Sequence, residues 1–384
     1  MITDIFNFPF PSKNDKVEPL RAEVREFLAT ELKGIPPEVR ALSWSGFHAD
    51  FTRKVAQKGW IGMTWPSRYG GHERSNLERY TVLEEMLAAG APVAAHWIAD
   101  RQTGPLLLKF GTEEQRREVL PAIVAGESFA CIGMSEPDSG SDLAAVRTRA
   151  EPVDGGFRIN GTKLWTTYAH KARWMVLFCR TSGTPADRHV GTSQLLVDLS
   201  TPGVKVSPIV DLAGHIHFNE VTFEDAFVPI SAVIGELGGG WKQVMSELAY
   251  ERSGPERFLS SMVQVTELVR ALGDDPSPPE AAAIGRIASH LVVLRQMSLG
   301  IAEMLESGGD PALQAAMVKD LGAVFEQEIP GIARSLVDAR PGDPATARFC
   351  AVLATTQMAA PSFSLRGGTR EILRGIIARG LGLR

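Results

Sequence analysis

Between Val17 and Leu120 apolar residues recur every three or four positions, as in Leu20, Val24, Phe27 and Leu28 and again in Tyr80, Leu83, Met86 and Leu87. That spacing puts them on one face of an α-helix and predicts a helical first segment. Trp65-Pro66 and Gly70-Gly71 interrupt it as a turn-rich loop. Near Phe129 the texture changes to short runs of Val, Ile, Thr and aromatic residues, punctuated by Gly, Pro, Asn and Asp. Phe157 to Ile159, Trp174 to Cys179, Gln194 to Val197 and Val204 to Pro208 are predicted strands, and Asn160-Gly161 has the composition of a two-residue hairpin turn. From Gly238-Gly239-Gly240 the helical period returns and runs to the end, with breaks at Gly273 to Pro279, Gly308 to Pro311 and Pro341 to Pro344. The expected class is therefore α+β: an N-terminal helical domain over 1–125, a central β-barrel or β-sandwich domain over 126–235, and a C-terminal four-helix bundle over 236–384.

Composition removes several classes of function. The 384 residues carry 40 Lys+Arg and 45 Asp+Glu, a formal charge of −5, without the basic patch that a nucleic-acid binder needs. Apolar residues never run to about 18 in succession, and Met1 to Asp15 holds acidic residues and prolines where a signal peptide needs a basic end and an apolar stretch. Neither membrane nor secretion is expected, which leaves the cytoplasm. Cys131, Cys179 and Cys350 are widely spaced and odd in number, which suits a reducing compartment and excludes a disulfide scaffold. His215 and His217 are expected to share a strand face with no carboxylate or Cys at ligand spacing, so no metal site is expected. Met297, Met304 and Met317 suit helix packing, and Arg366, Arg370, Arg374 and Arg379 suit a solvated basic helix face.

Two segments hold candidate chemistry. Cys131 to Asp142 places Ser135, Ser139, Ser141, Gly133 and Gly140 in one loop, where glycine permits close approach of the backbone to a flat polar ligand. The same composition also describes a plain solvated turn. Asn160 to Thr167 follows, and alternation puts Trp165 and Thr167 on one strand face with Thr166 on the other.

In order and spacing, Ser135-Glu136-Pro137 to Gly140-Ser141-Asp142 and Trp165-Thr166-Thr167 resemble the flavin-binding motifs of the acyl-CoA dehydrogenase family. The resemblance extends over nearly the whole chain, through Gly59-Trp60-Ile61-Gly62, Tyr69-Gly70-Gly71, Phe110-Gly111-Thr112 with Gln115, Glu251-Arg252 and Gly367-Gly368-Thr369. It implies FAD as cofactor, with Ile132, Met134, Ser135, Gly140, Ser141, Trp165, Thr166, Thr167, Thr369 and Glu371 as its contacts. It implies an acyl-CoA thioester as substrate, contacted by Ser141, Arg252, Gly367 and Gly368. The implied reaction removes an α-proton and a β-hydride, so it needs a base.

Many relatives carry a Glu at the position that here is Gly367. A second group places the base in a Glu-Arg pair, which here is Glu251-Arg252. With Trp241 at zero and about 100° per residue, Val244 falls at about 300°, Met245 at about 40°, Leu248 at about 340°, Glu251 at about 280° and Arg252 at about 20°. Glu251 and Arg252 then share an apolar face, with Lys242, Gln243, Ser246 and Glu247 on the other. A structural ion pair is the alternative, but i, i+1 neighbours on a helix do not face each other well. Glu251 is the expected base. Gly367 leaves room for a branched or steroid-derived acyl group.

The resemblance fails in two places. Relatives that form homomers hold the ADP half of FAD in the neighbouring subunit, on an Arg-x-x-Phe-Gly segment and a Gln/Gly-rich helix. Leu272 to Glu280 has no such Arg or Phe-Gly, and Ala351 to Pro361 holds Gln357 without a glycine pair. A homologous partner in an α2β2 heterotetramer is therefore expected, with a homo-oligomer as the alternative and an electron-transfer flavoprotein as oxidant. The rival functions are an acyl-CoA oxidase, a non-catalytic partner subunit, and an enzyme acting on a carrier-protein thioester.

Overall fold

The computed structural model describes residues 6–252, 254–338, 343–344 and 346–383, and of residues 248–251 the backbone alone. Its main helices are α1 (Val17–Glu31), α2 (Asn76–Ala88), α3 (Glu113–Val124), α4 (Gly240–Glu251), α5 (Met262–Leu272), α6 (Pro278–Glu306), α7 (Ala312–Leu336), α8 (Ala347–Ala359) and α9 (Arg370–Gly380). Between α3 and α4 run seven strands: β1 (Ala130–Gly133), β2 (Arg149–Val153), β3 (Gly156–Thr167), β4 (Trp174–Arg180), β5 (Thr192–Asp198), β6 (Val204–Ile209) and β7 (Phe218–Pro229). The class is α+β, with helices, then strands, then helices. Two compact units form, a helical unit from the described residues of 1–51, 74–94 and 249–384, and a β unit from 52–73 and 95–248. Among the described residues no helix is long and apolar enough to cross a membrane.

In the helical unit the predicted faces are the buried ones: Leu20, Val24 and Leu28 on α1, and Tyr80, Leu83, Met86 and Leu87 on α2. Ser75 caps α2 in a reciprocal box with Glu78, which satisfies two N–H groups that a helix start leaves open. Charges also cross between these helices. Arg21 and Arg295 meet Glu84 at 2.8 and 2.6 Å, and Arg25 meets Glu85 at 2.7 Å. Further along, Ala41, Val263 and Val352 pack together.

The sheet of the β unit runs β1-β4-β2-β3-β7-β6, with β5 on the other edge of β4. β4 is buried along its whole length. Phe157, Ile159, Met175, Leu177, Leu195, Val197, Val221 and Phe223 form the core, each worth roughly 1.5–3 kcal/mol when fully removed from water. At α3, the Gly111-Thr112 and Gln115 motif is a helix cap: Thr112 and Gln115 form a capping box, and the Gln115 amide also donates to the carbonyls of Ser231 and Val233 at 2.8 and 3.0 Å.

Four sequence expectations need correction. Asn160-Gly161 is not a hairpin turn but lies inside β3; the turn that joins β2 to β3 is Asp154-Gly155, with Gly155 at φ 76°. At Asn160 the partner strand carries an extra residue, Asp225 at φ 49°, and the Asn160 amide seals this bulge by exchanging hydrogen bonds with Asp225 at 2.9 and 3.0 Å. Gly161 is required because a Cβ there would sit 2.7 Å from Thr148. Second, α4 turns Gln243 and Glu247 inward, while Met245 is 44% exposed. Buried polar groups are tolerated here because each finds a partner: Gln243 donates to the Ile234 carbonyl at 2.5 Å, and Gln194 donates to Glu247 at 2.5 Å. Third, His215 and His217 lie in the turn before β7, not on a strand. Fourth, Arg366 precedes α9 and is not on its solvated face; Arg370 and Arg374 both pair with Asp320, at 2.8 and 3.4 Å.

Candidate active site

The loop after β1 is fastened to β3 from below. Lys163 is completely buried, and its ammonium donates to Glu136 at 2.8 Å and to the Met134 carbonyl at 3.0 Å. Glu136 also accepts the backbone N–H groups of Arg147 and Thr148 at 2.7 and 2.8 Å. Burial pushes its carboxyl up, but Lys163 and these N–H donors outweigh it and hold Glu136 below its ordinary value of 4.5. Burial pushes the Lys163 ammonium down in turn, yet the geometry of a charged, fully bonded pair is the one present. Above this anchor, Leu164 N–H donates to the Ser135 carbonyl at 2.9 Å, so Ser135 is held beside β3. Glu136 and Ser139 close a tight turn, and the Ser139 hydroxyl donates to the Asp142 carbonyl at 2.8 Å. Gly140 and Ser141 are left exposed, and a Cβ on Gly140 would meet nothing within 4 Å.

β3 then bulges. Lys163 pairs with Val221 and Thr166 with Asn219, so β3 spends three residues where β7 spends two, and Trp165 absorbs the excess at φ 60°. A left-handed tryptophan is strained. The bulge lets Lys163 and Thr166, three residues apart, both point inward, and turns Trp165 outward at 56% exposure. The predicted alternation of Trp165, Thr166 and Thr167 holds locally, while Lys163 breaks it. The Thr166 hydroxyl is buried and has no hydrogen-bond partner among the described residues. Trp165 meets Phe218 edge to face at 6.0 Å. Ile132 is half-buried on β1, and Met134 packs with Leu143, Val146, Phe178 and Trp241.

The helical unit holds the other predicted residues. Gly367 and Gly368 are both left-handed, at φ 70° and 96°. Their carbonyls are gripped: buried Arg252 donates to Gly367 O at 3.0 Å, and buried Lys319 donates to Gly368 O at 2.5 Å and Ser364 O at 3.3 Å. Beside the turn, Arg366 stacks on Trp44 and Phe363, with ring centroids at 4.2 and 4.8 Å, and donates to Glu326, Ser260 and the Glu256 carbonyl. Burial, opposed by Arg366, raises the Glu326 carboxyl. Thr369 is the N-cap residue of α9, and exposed Glu371 is made more acidic by its own N–H and the Thr369 hydroxyl. Glu251 is the last residue of α4, and its side chain lies outside the described residues.

Lys163, Lys319 and Glu326 were not anticipated from the sequence. A lysine two residues after Asn160-Gly161 carried one weak signal, since alternation within a strand allows an inward Lys only where a carboxylate waits. Lys319 and Glu326 sit in an ordinary amphipathic helix and carried none.

The chain matches the family models described as acyl-CoA dehydrogenase, N-terminal domain, over residues 14–127, and acyl-CoA dehydrogenase, middle domain, over residues 131–226. It is 32% identical over 394 aligned positions to acyl-CoA dehydrogenase IpdE1 of Mycolicibacterium smegmatis, covering 96% of this chain and 98% of that protein. Among solved structures it is similar to the Tcur3481–Tcur3483 steroid ACAD, with a TM-score of 0.85 and 27% identity over 97% of this chain and 99% of that one. It is also similar to the ChsE4–ChsE5 complex of Mycobacterium tuberculosis, with a TM-score of 0.82 and 28% identity over 97% and 99%.

Proposed function

Because the chain belongs to the acyl-CoA dehydrogenase family and is an oxidoreductase of that kind, we propose that it carries out FAD-dependent α,β-dehydrogenation of an acyl-CoA thioester with a branched or steroid-derived acyl group. The observation that carries the reading is the fastening of the Ser135–Asp142 loop to β3 through Lys163 and Leu164, which sets Ser135 beside Trp165 to Thr167. The residues suit a flavin. An exposed indole offers a face to stack on, the buried Thr166 hydroxyl lacks a partner among the described residues, and open space surrounds Gly140. Ile132, Met134, Ser135, Gly140, Ser141 and Trp165 to Thr167 would hold the ring system, with Thr369 and Glu371 as further contacts.

When bound, FAD accepts the β-hydride of the acyl chain. Glu251 takes the α-proton, and Arg252 sets the Gly367-Gly368 turn by holding its carbonyl. Gly367 and Gly368 in the helical unit, and Ser141 in the β unit, are the proposed thioester contacts; a donor aimed at the thioester oxygen stabilises the enolate character that grows as the proton leaves. Gly367 in place of a carboxylate side chain leaves room for a bulky acyl group, in keeping with the steroid ACAD named among the similar structures.

The chain acts in the cytoplasm with a homologous partner subunit and passes electrons to an electron-transfer flavoprotein. Leu272 to Glu280 supports the partner: it contains Gly273 and the capped start of α6 at Ser277, with no arginine for a pyrophosphate. Two of the similar structures are likewise of paired proteins. Glu251→Gln in the assembled enzyme is expected to keep its flavin and lose turnover by about 10²–10⁴-fold. Undiminished turnover would remove Glu251 as the base. The chain purified alone is expected to hold FAD substoichiometrically, and a homodimer with one FAD per chain would remove the partner.

A further inference from the structure

The turn between β6 and β7 gathers three ligand-type side chains. Asp211 builds it: its N–H donates to the His215 carbonyl at 2.9 Å, and Gly214 N–H returns to the Asp211 carbonyl at 3.0 Å. Its Oδ1 accepts the N–H groups of Ala213 and His215, both at 2.9 Å. With Oδ1 engaged, Oδ2 is the oxygen that faces both imidazoles, 3.9 Å from His215 Nδ1 and 3.9 Å from His217 Nε2. The three ligand atoms lie within 4.8 Å of one another. On its far side, the His217 ring meets the Tyr168 hydroxyl, 2.8 Å from Nδ1. Tyr168 N–H in turn donates to the His217 carbonyl at 2.8 Å, so turn and tyrosine hold each other at two points.

We propose that Asp211, His215 and His217 bind a divalent transition-metal ion of the zinc type. Two imidazole nitrogens and one carboxylate oxygen are the donor set such an ion prefers over Mg²⁺ or Ca²⁺, which take oxygen ligands. With bonds of about 2.1 Å, a tetrahedral ion holds its ligand atoms about 3.4 Å apart. The two 3.9 Å separations from Asp211 Oδ2 exceed a hydrogen bond, and the three ligand atoms, within 4.8 Å of one another, close to that value with shifts of about 0.5 Å to at most about 1.4 Å. His215, whose side chain is 41% exposed, and Asp211 have room to make such a shift, while Tyr168 keeps His217 in place. Three protein ligands leave a fourth position for water.

Tyr168 has the place of an outer-shell partner. With metal bound to Nε2, His217 carries its proton on Nδ1 and donates it to the Tyr168 hydroxyl, which then orients the ring. Tyr168 directly follows Trp165 to Thr167, and a bound ion would tie the 210–217 turn to the end of β3. The site rests on these side chains alone and stands whether or not the flavin chemistry above is correct.

The test uses the full-length purified protein, stripped with EDTA, desalted, and titrated with Zn²⁺ by calorimetry. One saturable equivalent per chain is expected, with affinity lowered at least about tenfold in His215→Ala and in His217→Ala. Cooperative melting in EDTA is expected in both variants, little changed in His215→Ala and somewhat lowered in His217→Ala, which gives up its contact with Tyr168, and it establishes that they fold. Independently of any variant, Co²⁺ added to the unaltered protein is expected to give the visible absorption of a four-coordinate ion. No saturable Zn²⁺ binding, or an affinity in both His variants as high as in the unaltered protein, would overturn the site.

Discussion

The two glycine-bearing segments that carry the predicted contacts, one in each unit, are held in related ways with different consequences. In both, buried cations grip the loop through its carbonyl oxygens: Lys163 on Met134, Arg252 on Gly367, Lys319 on Gly368 and Ser364. A loop anchored through its carbonyls keeps its N–H groups for other partners, which suits a segment that receives an anionic or developing-anionic ligand. The difference is where the countercharge comes from. In the β unit it is Glu136, inside the loop itself, so motif and anchor are one object. In the helical unit the turn is gripped by Arg252 and Lys319 from two separate places, and the buried carboxylate nearby, Glu326 on α7, pairs with Arg366, forty residues away. A self-anchored loop keeps a sequence signature; one anchored by its surroundings does not.

Removing each anchor tests this. Glu136→Ala leaves the Lys163 ammonium buried without its carboxylate and is expected to cost about 3–5 kcal/mol of stability, read from denaturant unfolding, with loss of bound flavin. Glu136→Gln combined with Lys163→Met is expected to regain much of the stability, since a well-packed neutral pair replaces the ionic one. A double variant no more stable than the single would mean that the charge pair is not the anchor. Glu326→Gln is expected to cost about 2–3 kcal/mol, less than Glu136→Ala because the amide oxygen still accepts the Ser260 N–H. Lys319→Met gives up two carbonyl contacts and is expected to cost about 1.5–3 kcal/mol. If the Gly367-Gly368 turn serves the transition state, kcat falls in this variant while KM changes little; an effect confined to KM would place the turn in ground-state binding.

The smallest effect is in pH, and its sign differs between the units. Glu136 has a lowered carboxyl, so its contribution is complete above 4.5 and is lost as pH falls through the folded value. The stability gap between the unaltered protein and Glu136→Gln should therefore narrow in acid below 4.5. Glu326 has a raised carboxyl, so its contribution is complete below 4.5 and is lost as pH rises through the folded value. The gap for Glu326→Gln should widen as pH is lowered toward 4.5. Parallel unfolding curves across pH measure both gaps, and equal trends would dissolve the contrast.

Much of this was legible in the chain, for reasons that differ by residue. The faces of α1 and α2 follow from period alone, because Leu20, Val24 and Leu28 have no better place than the interior. β4 and β5 follow from short apolar runs. Asn160-Gly161 misled because left-handed tolerance serves a bulge as well as a turn, and the choice is made by Asp225 on another strand. The inward face of α4 was misjudged because Gln243 and Glu247 are made tolerable by Gln194 and the Ile234 carbonyl, which no helical wheel contains. Arg366 looked solvated until Trp44 and Glu326 were brought to it. No carboxylate was expected beside His215 and His217, because it is the turn, not the spacing, that aims Asp211 at them. Long-range polar partnership is the information that local pattern omits.

Of the seven tryptophans, Trp165 is the one that stands exposed. Its indole is therefore expected to emit at the long-wavelength edge, with the buried and partly buried rings to the blue. A flavin stacked on it would quench that edge selectively, both by contact and by energy transfer. The strained residue at the bulge would thus turn cofactor loading into an optical signal that needs no label.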